Sequence, residues 1–250
     1  MSGLLFESGE YLVLDKPSGV SMATPRGESA GEPAVRRLLE ALGLPCPDPL
    51  PLLVHRLDVG TSGCVLLAKD APAHRLASMA FQERRVVKSY RALCWGHPVP
   101  AAGAYRDPLA RDRADARKMR AAPDGKAAVT DYRTLRRYRS LADLRLQPAT
   151  GRTHQIRVHL AAHGHPIAGD DLYGGATRWR GVRDPAVRGA LAALTRPLLH
   201  AEQLAVAEAG IDVSAPLPAE YVRLLSLLEG GGRPSGGPPE RAIGSMRADD

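Results

Sequence analysis

Three stretches of the chain concentrate residues able to do chemistry. HRLDVGTSG (His55–Gly63) is a charged cluster that runs into an apolar segment, with Gly60 and Gly63 permitting tight backbone paths. If His55 to Asp58 is extended, Arg56 and Asp58 point to the same side, which sets a cation beside a carboxylate. A generic R-x-D of this kind is more often a salt-bridged surface turn, so its context has to decide. GRTHQIRVHLAAHGHPIAGDDLYGG (Gly151–Gly175) is dense in His, Arg, Gly and Asp in a hydrophobic setting. His159 and His163 are four apart on an expected helix, a spacing that can bind zinc. However, there is no HExxH and no third ligand at a fixed distance. KSYRALCWG (Lys88–Gly96) carries one polar-tipped aromatic, Tyr90, in an apolar strand, where a lone tyrosine is ordinarily a core or edge residue.

The elements around these stretches can be read from pattern and punctuation. Tyr11 to Gly19 reads as a short strand entering a turn at Pro17 and Gly19. Ala34 to Gly43 has helical apolar spacing and a glycine at its end. Cys64 to Ala68 is a continuous apolar run, as a buried strand requires. Asp70 is placed to cap a helix over Ala71 to Arg84, with Pro72 in the tolerated first turn. Lys88 to Gly96 reads as another strand. Residues 126–147 read as two strands around an Arg-rich turn near Arg136 to Ser140. Thr153 to His163 reads as a helix stopped by Gly164, and Pro218 to Gly231 as a terminal amphipathic helix. There is no internal repeat. Strands and helices mix without regular βαβ alternation, which predicts an α+β fold.

With 250 residues the chain has ample length for one core. Hydrophobic residues at 44% and charged residues at 24% exclude wholesale disorder. We expect one domain over residues 1–229. The Gly/Pro-rich residues 230–250 are expected to form a disordered tail, because they cannot bury enough surface to offset their ordering entropy. No apolar run approaches the ~18 residues of a membrane span. No secretory signal is visible at the start, so a cytoplasmic location is the default. Cys46, Cys64 and Cys94 are too few and too irregularly spaced for a disulfide framework or a zinc ribbon, and are expected to be small buried apolar residues. Net charge is +7, which favours a polyanionic partner. Between Tyr105 and Arg139 there are 11 Lys or Arg against 5 Asp, including Arg136, Arg137 and Arg139. That segment is expected to be an RNA-facing basic surface. Aromatics are only 4%, which argues against a platform that stacks many bases.

Taken together, these strings resemble a known family. HRLDxxTSG, then K-x-Y-x-A-x-x-x-G, then GRTHQIRVH…HPIxGDxxYG look like the RluA-type RNA pseudouridine synthases. DKPSG near the N-terminus and LLHA (Leu198–Ala201) match the family's pattern and order as well. The resemblance runs from about residue 8 to about residue 228. Many relatives carry an extra N-terminal S4 domain, and with DKPSG beginning at Asp15 none is expected here.

The resemblance implies a mixed, mostly antiparallel central sheet flanked by helices, with a catalytic cleft across its middle. It implies conversion of a specific uridine in structured rRNA or tRNA to pseudouridine, with no cofactor and no metal. The target base would be flipped into a pocket. By resemblance, Asp58 is the catalytic aspartate, acting as nucleophile or base. Arg157 is its bidentate partner, and Tyr90 packs on the flipped uracil. Arg56 enters the stack and holds the vacated place. Arg152 and Gln155 are weighted as architectural, Asp170 and Tyr173 as pocket wall, and Thr61 as an organiser of the turn after Asp58; His55 joins the pocket-shaping set. The chain is expected to act as a monomer. A catalytically inactive RNA-binding or RNA-folding module of the same fold is the main alternative. Retention of Asp58, Arg157 and Tyr90 together counts against it, since a pure binder needs no aspartate in a cleft for an anionic substrate.

Overall fold

The computed structural model describes residues 3–23 and 32–230. In chain order its strands and α-helices are β1 (Leu4–Glu7), β2 (Tyr11–Lys16), α1 (Glu32–Ala41), β3 (Leu52–Leu53), β4 (Ser62–Ala68), α2 (Ala71–Gln82), β5 (Val86–Trp95), β6 (Ala102–Tyr105), β7 (Leu109–Arg111), β8 (Met119–Ala121), β9 (Thr130–Arg137), β10 (Leu141–Pro148), α3 (Gln155–Ala162), α4 (Pro185–Ala192), β11 (Leu199–Val206), β12 (Ile211–Ser214) and α5 (Ala219–Gly230). One large sheet runs in the order β1-β2-β4-β11-β5-β10-β9-β6, with β12 also on β11 and β3 also on β4. The β4–β11 pair is parallel and the other pairings are antiparallel. β7 and β8 form a separate two-stranded sheet. This is the α+β, mostly antiparallel architecture expected. No helix among the described residues is long and apolar enough to cross a membrane.

The unbroken apolar run of β4 follows from cover on both faces, and all seven of its residues are buried. Val65 and Leu67, with Leu14 of β2, pack on Ala34, Val35, Leu38 and Leu39 of α1. The alternate residues Cys64 and Leu66, with Val13, pack on Ala73, Ala77 and Ala80 of α2. Period two thus sends one strand's side chains into two cores. Farther along the sheet, Leu144 and Leu146 of β10 share a core with Ile156 and Leu160 of α3, Val187 and Leu191 of α4, and Tyr221 and Leu224 of α5.

Most expected elements form, with shifted ends. Asp70 caps α2, its carboxylate accepting from the Ala73 N–H at 2.8 Å. That helix stops at Gln82 rather than Arg84, because Arg84 has φ +61°, a left-handed conformation no helix continues through. α3 starts at Gln155 rather than Thr153 because His154 has φ +55°. The strand expected from residue 126 starts at Thr130, preceded only by an isolated bridge from Lys126 to Leu109. α5 runs to Gly230, the first residue of the expected tail, and the rest of that tail, residues 231–250, lies outside the described residues. Cys64 and Cys94 are buried as expected, but Cys46 is exposed, set between Pro45 and Pro47 in a loop anchored on the core by Leu44 and Leu50.

Candidate active site

Four strands meet where the first two motifs come together. Tyr90 on β5 lies opposite Leu146 of β10 on one side and Ala201 of β11 on the other. Ala201 in turn lies opposite Gly63 at the start of β4. The loop before β4 carries Asp58, and the loop after β10 leads into α3 and Arg157. Gly63 makes this approach possible. It has φ +109°, and a Cβ there would sit 2.2 Å from the Ala201 carbonyl oxygen.

The Asp58 loop is held from beneath by two cations. The wholly buried Lys16, of the DKPSG string, donates from Nζ to the carbonyls of Thr61 (2.8 Å), Pro17 (2.9 Å) and Val59 (3.2 Å). Burial, reinforced by the nearby Arg196 charge and opposed by Asp58, pushes the Lys16 pKa down to about 8. Arg196 donates to the Gly60 carbonyl at 3.2 Å. Thr61 closes the turn with its own N–H to the Asp58 carbonyl at 3.1 Å. Its buried hydroxyl has no partner within the described residues.

Asp58, Thr61, Tyr90, His154 and Arg157 line one cavity of about 150 Å³, with Arg56 and Arg152 also on its lining. The Asp58–Arg157 contact corrects the expected geometry. Only Nη1 of Arg157 reaches Asp58, at 3.5 Å to Oδ2. The bidentate fork goes instead to Asp170, with Nε to Oδ2 at 2.7 Å and Nη2 to Oδ1 at 2.8 Å. Asp170 is wholly buried and also accepts from the backbone N–H groups of Leu172 and Tyr173. It is therefore more than pocket wall: it aims the guanidinium. Burial works against the Arg157 charge, but the Asp170 hydrogen bonds and charge more than offset it and raise the pKa. The guanidinium also lies over the Tyr173 ring, 5.0 Å from its centroid.

His154 was not singled out by motif reasoning, and the structure sets its Nε2 4.0 Å from Asp58 Oδ2. Its backbone is left-handed, with φ +55°, and it lines the cavity. The Tyr173 hydroxyl accepts from the Met119 N–H at 2.9 Å and lies 2.8 Å from His154 Nδ1. With that hydroxyl donating to Nδ1, the Nε2–H faces Asp58. Burial first, against the opposing pull of Asp58, lowers the His154 pKa and keeps the ring neutral. Burial and then the Asp58 charge raise the Tyr90 pKa, keeping the phenol protonated.

This site stands on a chain whose residues 10–162 match the family model described as RNA pseudouridylate synthase. The chain belongs to that family. It is 34% identical over 230 residues to the ribosomal large subunit pseudouridine synthase D of Haemophilus ducreyi, covering 90% of this chain and 70% of the relative. It is 35% identical over 233 residues to the protein of the same name in Pseudomonas aeruginosa, covering 90% and 71%. Among solved structures it resembles human RNA pseudouridylate synthase domain containing 4, with TM-score 0.69, 28% identity, and 90% and 92% of the two chains covered. It resembles domain containing 1 with TM-score 0.68, 25% identity, and 98% and 91% covered. The chain is an RNA pseudouridine synthase, an isomerase.

The remaining predicted residues of the synthase divide by place. Gln155 is fully used as scaffold: Oε1 accepts from Thr150 Oγ1 (2.7 Å) and the Arg152 N–H (3.0 Å), and Nε2 donates to the Val129 carbonyl (2.8 Å) and Thr130 Oγ1 (2.9 Å). His55 accepts from the Leu66 N–H at 3.1 Å and stacks on Phe81, so burial holds its pKa down at about 3. Arg56 is exposed on the cavity rim. Arg136, Arg137 and Arg139 lie at the other end of the β9–β10 hairpin from the loop that leads into α3. Arg136 is paired there with Glu229, and Arg137 donates to the Pro98 carbonyl. The structure does not bring this trio to the cleft. Three other cations of the 105–139 segment are likewise paired, Arg117 with Asp115 and both Arg113 and Arg120 with Asp124. His159 is buried between Thr130 and the Asp107 carbonyl, and His163 meets the Asp107 carboxylate, so the zinc spacing serves packing.

Proposed function

We propose that the chain isomerises a uridine in large-subunit ribosomal RNA, with Asp58 as the reacting carboxylate. The C1′–N1 bond breaks, the base turns, and C1′ bonds to C5. C5 loses its proton and N1 gains one, so nothing is oxidised or consumed. The observation that carries this reading is the partly exposed Asp58 carboxylate, standing in a cavity beside an arginine that a second, buried carboxylate has already aimed. Arg157 stabilises the charge on Asp58 without being free to swing away. Tyr90 offers the uracil a stacking face, and Arg56 on the rim fills the place the base vacates in the RNA stack. The relatives' names favour ribosomal over transfer RNA. The test is pseudouridine mapping of total RNA from cells with the gene, without it, and with Asp58→Asn. We expect one or a few ribosomal uridines to lose the modification in the last two. Retention of every site in the deletion strain would overturn the assignment.

A further inference from the structure

A second cavity, of about 540 Å³, adjoins the first and shares Arg56, Tyr90 and Arg152 with it. We infer that this cavity is a subsite for the nucleotide next to the target uridine on the same RNA strand, with its phosphodiester held by Arg84 and Lys88 and its base laid on Phe81. The inference rests on RNA being the substrate and adds where the strand runs after the flipped base.

The charge pattern points to a phosphodiester. Arg56, Arg84, Lys88 and Arg152 line the cavity, and its lining holds no aspartate or glutamate. None of the four has a carboxylate partner among the described residues, whereas Arg85 next door is paired with Glu83 and Glu208. Lys88 is largely desolvated, which lowers its pKa, and its one aromatic contact is the Phe81 ring 5.8 Å away. Leaving a desolvated ammonium unpaired is costly, and a bound anion removes that cost. The lining also carries an aromatic surface: the neutral His55 ring stacks on Phe81 with centroids 4.7 Å apart and planes at 22°. Geometry ties the two cavities together. Lys88 and Tyr90 are two apart on β5, so both project from one face at a separation of roughly 7 Å. A base held at Tyr90 places its neighbour at Lys88.

Arg84 carries an independent sign. It occupies the left-handed position just past α2, where glycine is the unstrained choice. A guanidinium is kept there at the expense of backbone strain, which is the pattern of a functional position.

The strain provides the test. Arg84→Gly should leave the melting temperature equal or higher, and Lys88→Met should raise it by removing the unpaired charge. Filter-binding affinity for an unmodified transcript of large-subunit ribosomal RNA is measured across salt for the parent, both variants, and Arg223→Gln as a charge-matched control outside the cavity. Each cavity variant should weaken binding about tenfold, the size of one charge-assisted hydrogen bond, and lower the log–log salt slope by about 0.7. The control should do neither. Parent-like affinity and slope in folded Arg84→Gly and Lys88→Met, or equal losses in Arg223→Gln, overturn the subsite. Pseudouridine formation by the parent on the same transcript tests the function separately. An active parent with indifferent variants sinks the subsite alone, whereas an inactive parent with weakened variants sinks the substrate assignment alone.

Discussion

Asp58 and Asp170 share one arginine and answer opposite demands. Asp170 is wholly buried and completes a bidentate pair, so Asp170→Asn leaves the buried guanidinium without its counter-charge. Breaking such a pair costs about 3–5 kcal/mol. Asp58 is partly exposed and makes one long contact, so Asp58→Asn should cost less than about 1 kcal/mol while abolishing pseudouridine formation. Urea unfolding and single-turnover assays on the two variants should therefore give opposite splits between stability and activity. Full turnover by a folded Asp58→Asn protein would end the proposed mechanism. By the same logic Arg157→Lys should lose stability as well as rate, because one ammonium cannot reproduce the fork on Asp170. The buried histidines set the acid limit. Burial holds His55 down at about 3 and His200 at about 4. The unfolded chain takes up these protons near pH 6.5 and the folded chain does not, so the stability tied to these two rings is complete well above that pH and falls below it. The slope is about 1.4 kcal/mol per pH unit for each group. Between pH 7 and 5.5 the two should together cost about 2 kcal/mol in urea unfolding, and His200→Asn should roughly halve the difference. A flat profile would show that these rings protonate in the fold.

The site depends on elements meeting where no local signal requires it. β11 runs between β4 and β5 and carries Ala201 against Gly63, so Gly63→Ala should split the parallel pair and drop the Asp58 loop. Close approach and a left-handed φ together put its cost at roughly 2–6 kcal/mol, measurable as a fall in melting temperature with matching loss of activity. Gly164→Ala, also at positive φ but with open space around it, should cost less. This contrast explains what was legible in the sequence. β4, α2 with its Asp70 cap, and the β9–β10 hairpin were readable because their signals lie inside each segment. α4 carries a readable start as well, Asp184 capping and Pro185 in the first turn. β11 was not readable as a strand, because its buried His200 breaks the apolar pattern, and the reason for burying it lies far away in Ser62 Oγ, 2.9 Å from its Nδ1. The motif strings named Arg157, Asp170 and Asp58 but not the order of their pairing, because Asp170 and Asp58 compete for one guanidinium only once the chain is folded. His154 and Arg84 escaped notice for a shared reason: each is marked by a backbone conformation that residue type does not predict.

At the scale of the whole molecule the question is whether RNA is held by general positive charge or by particular cations. A net charge of +7 supplies long-range attraction, yet Arg113, Arg117 and Arg120 of the basic 105–139 segment pair with its own aspartates, and Arg136 with Glu229. Four cations without a carboxylate partner among the described residues, Arg56, Arg84, Lys88 and Arg152, stand around the two joined cavities. Salt dependence separates these cases, since each phosphate contact contributes roughly 0.7 to 0.9 to the log–log slope whereas diffuse charge has no discrete count. Replacing Arg136, Arg137 and Arg139 together by Gln removes three charges at the hairpin tip and should slow association at low salt while shifting the equilibrium slope by less than about one contact's worth. Replacing Arg56 and Arg152 by Gln removes only two, and should lower the slope by about 1.4 or more. If the hairpin triple variant proves the more damaging to the slope, RNA extends across the sheet to the far end of β10, and the bound surface is several times larger than the cleft.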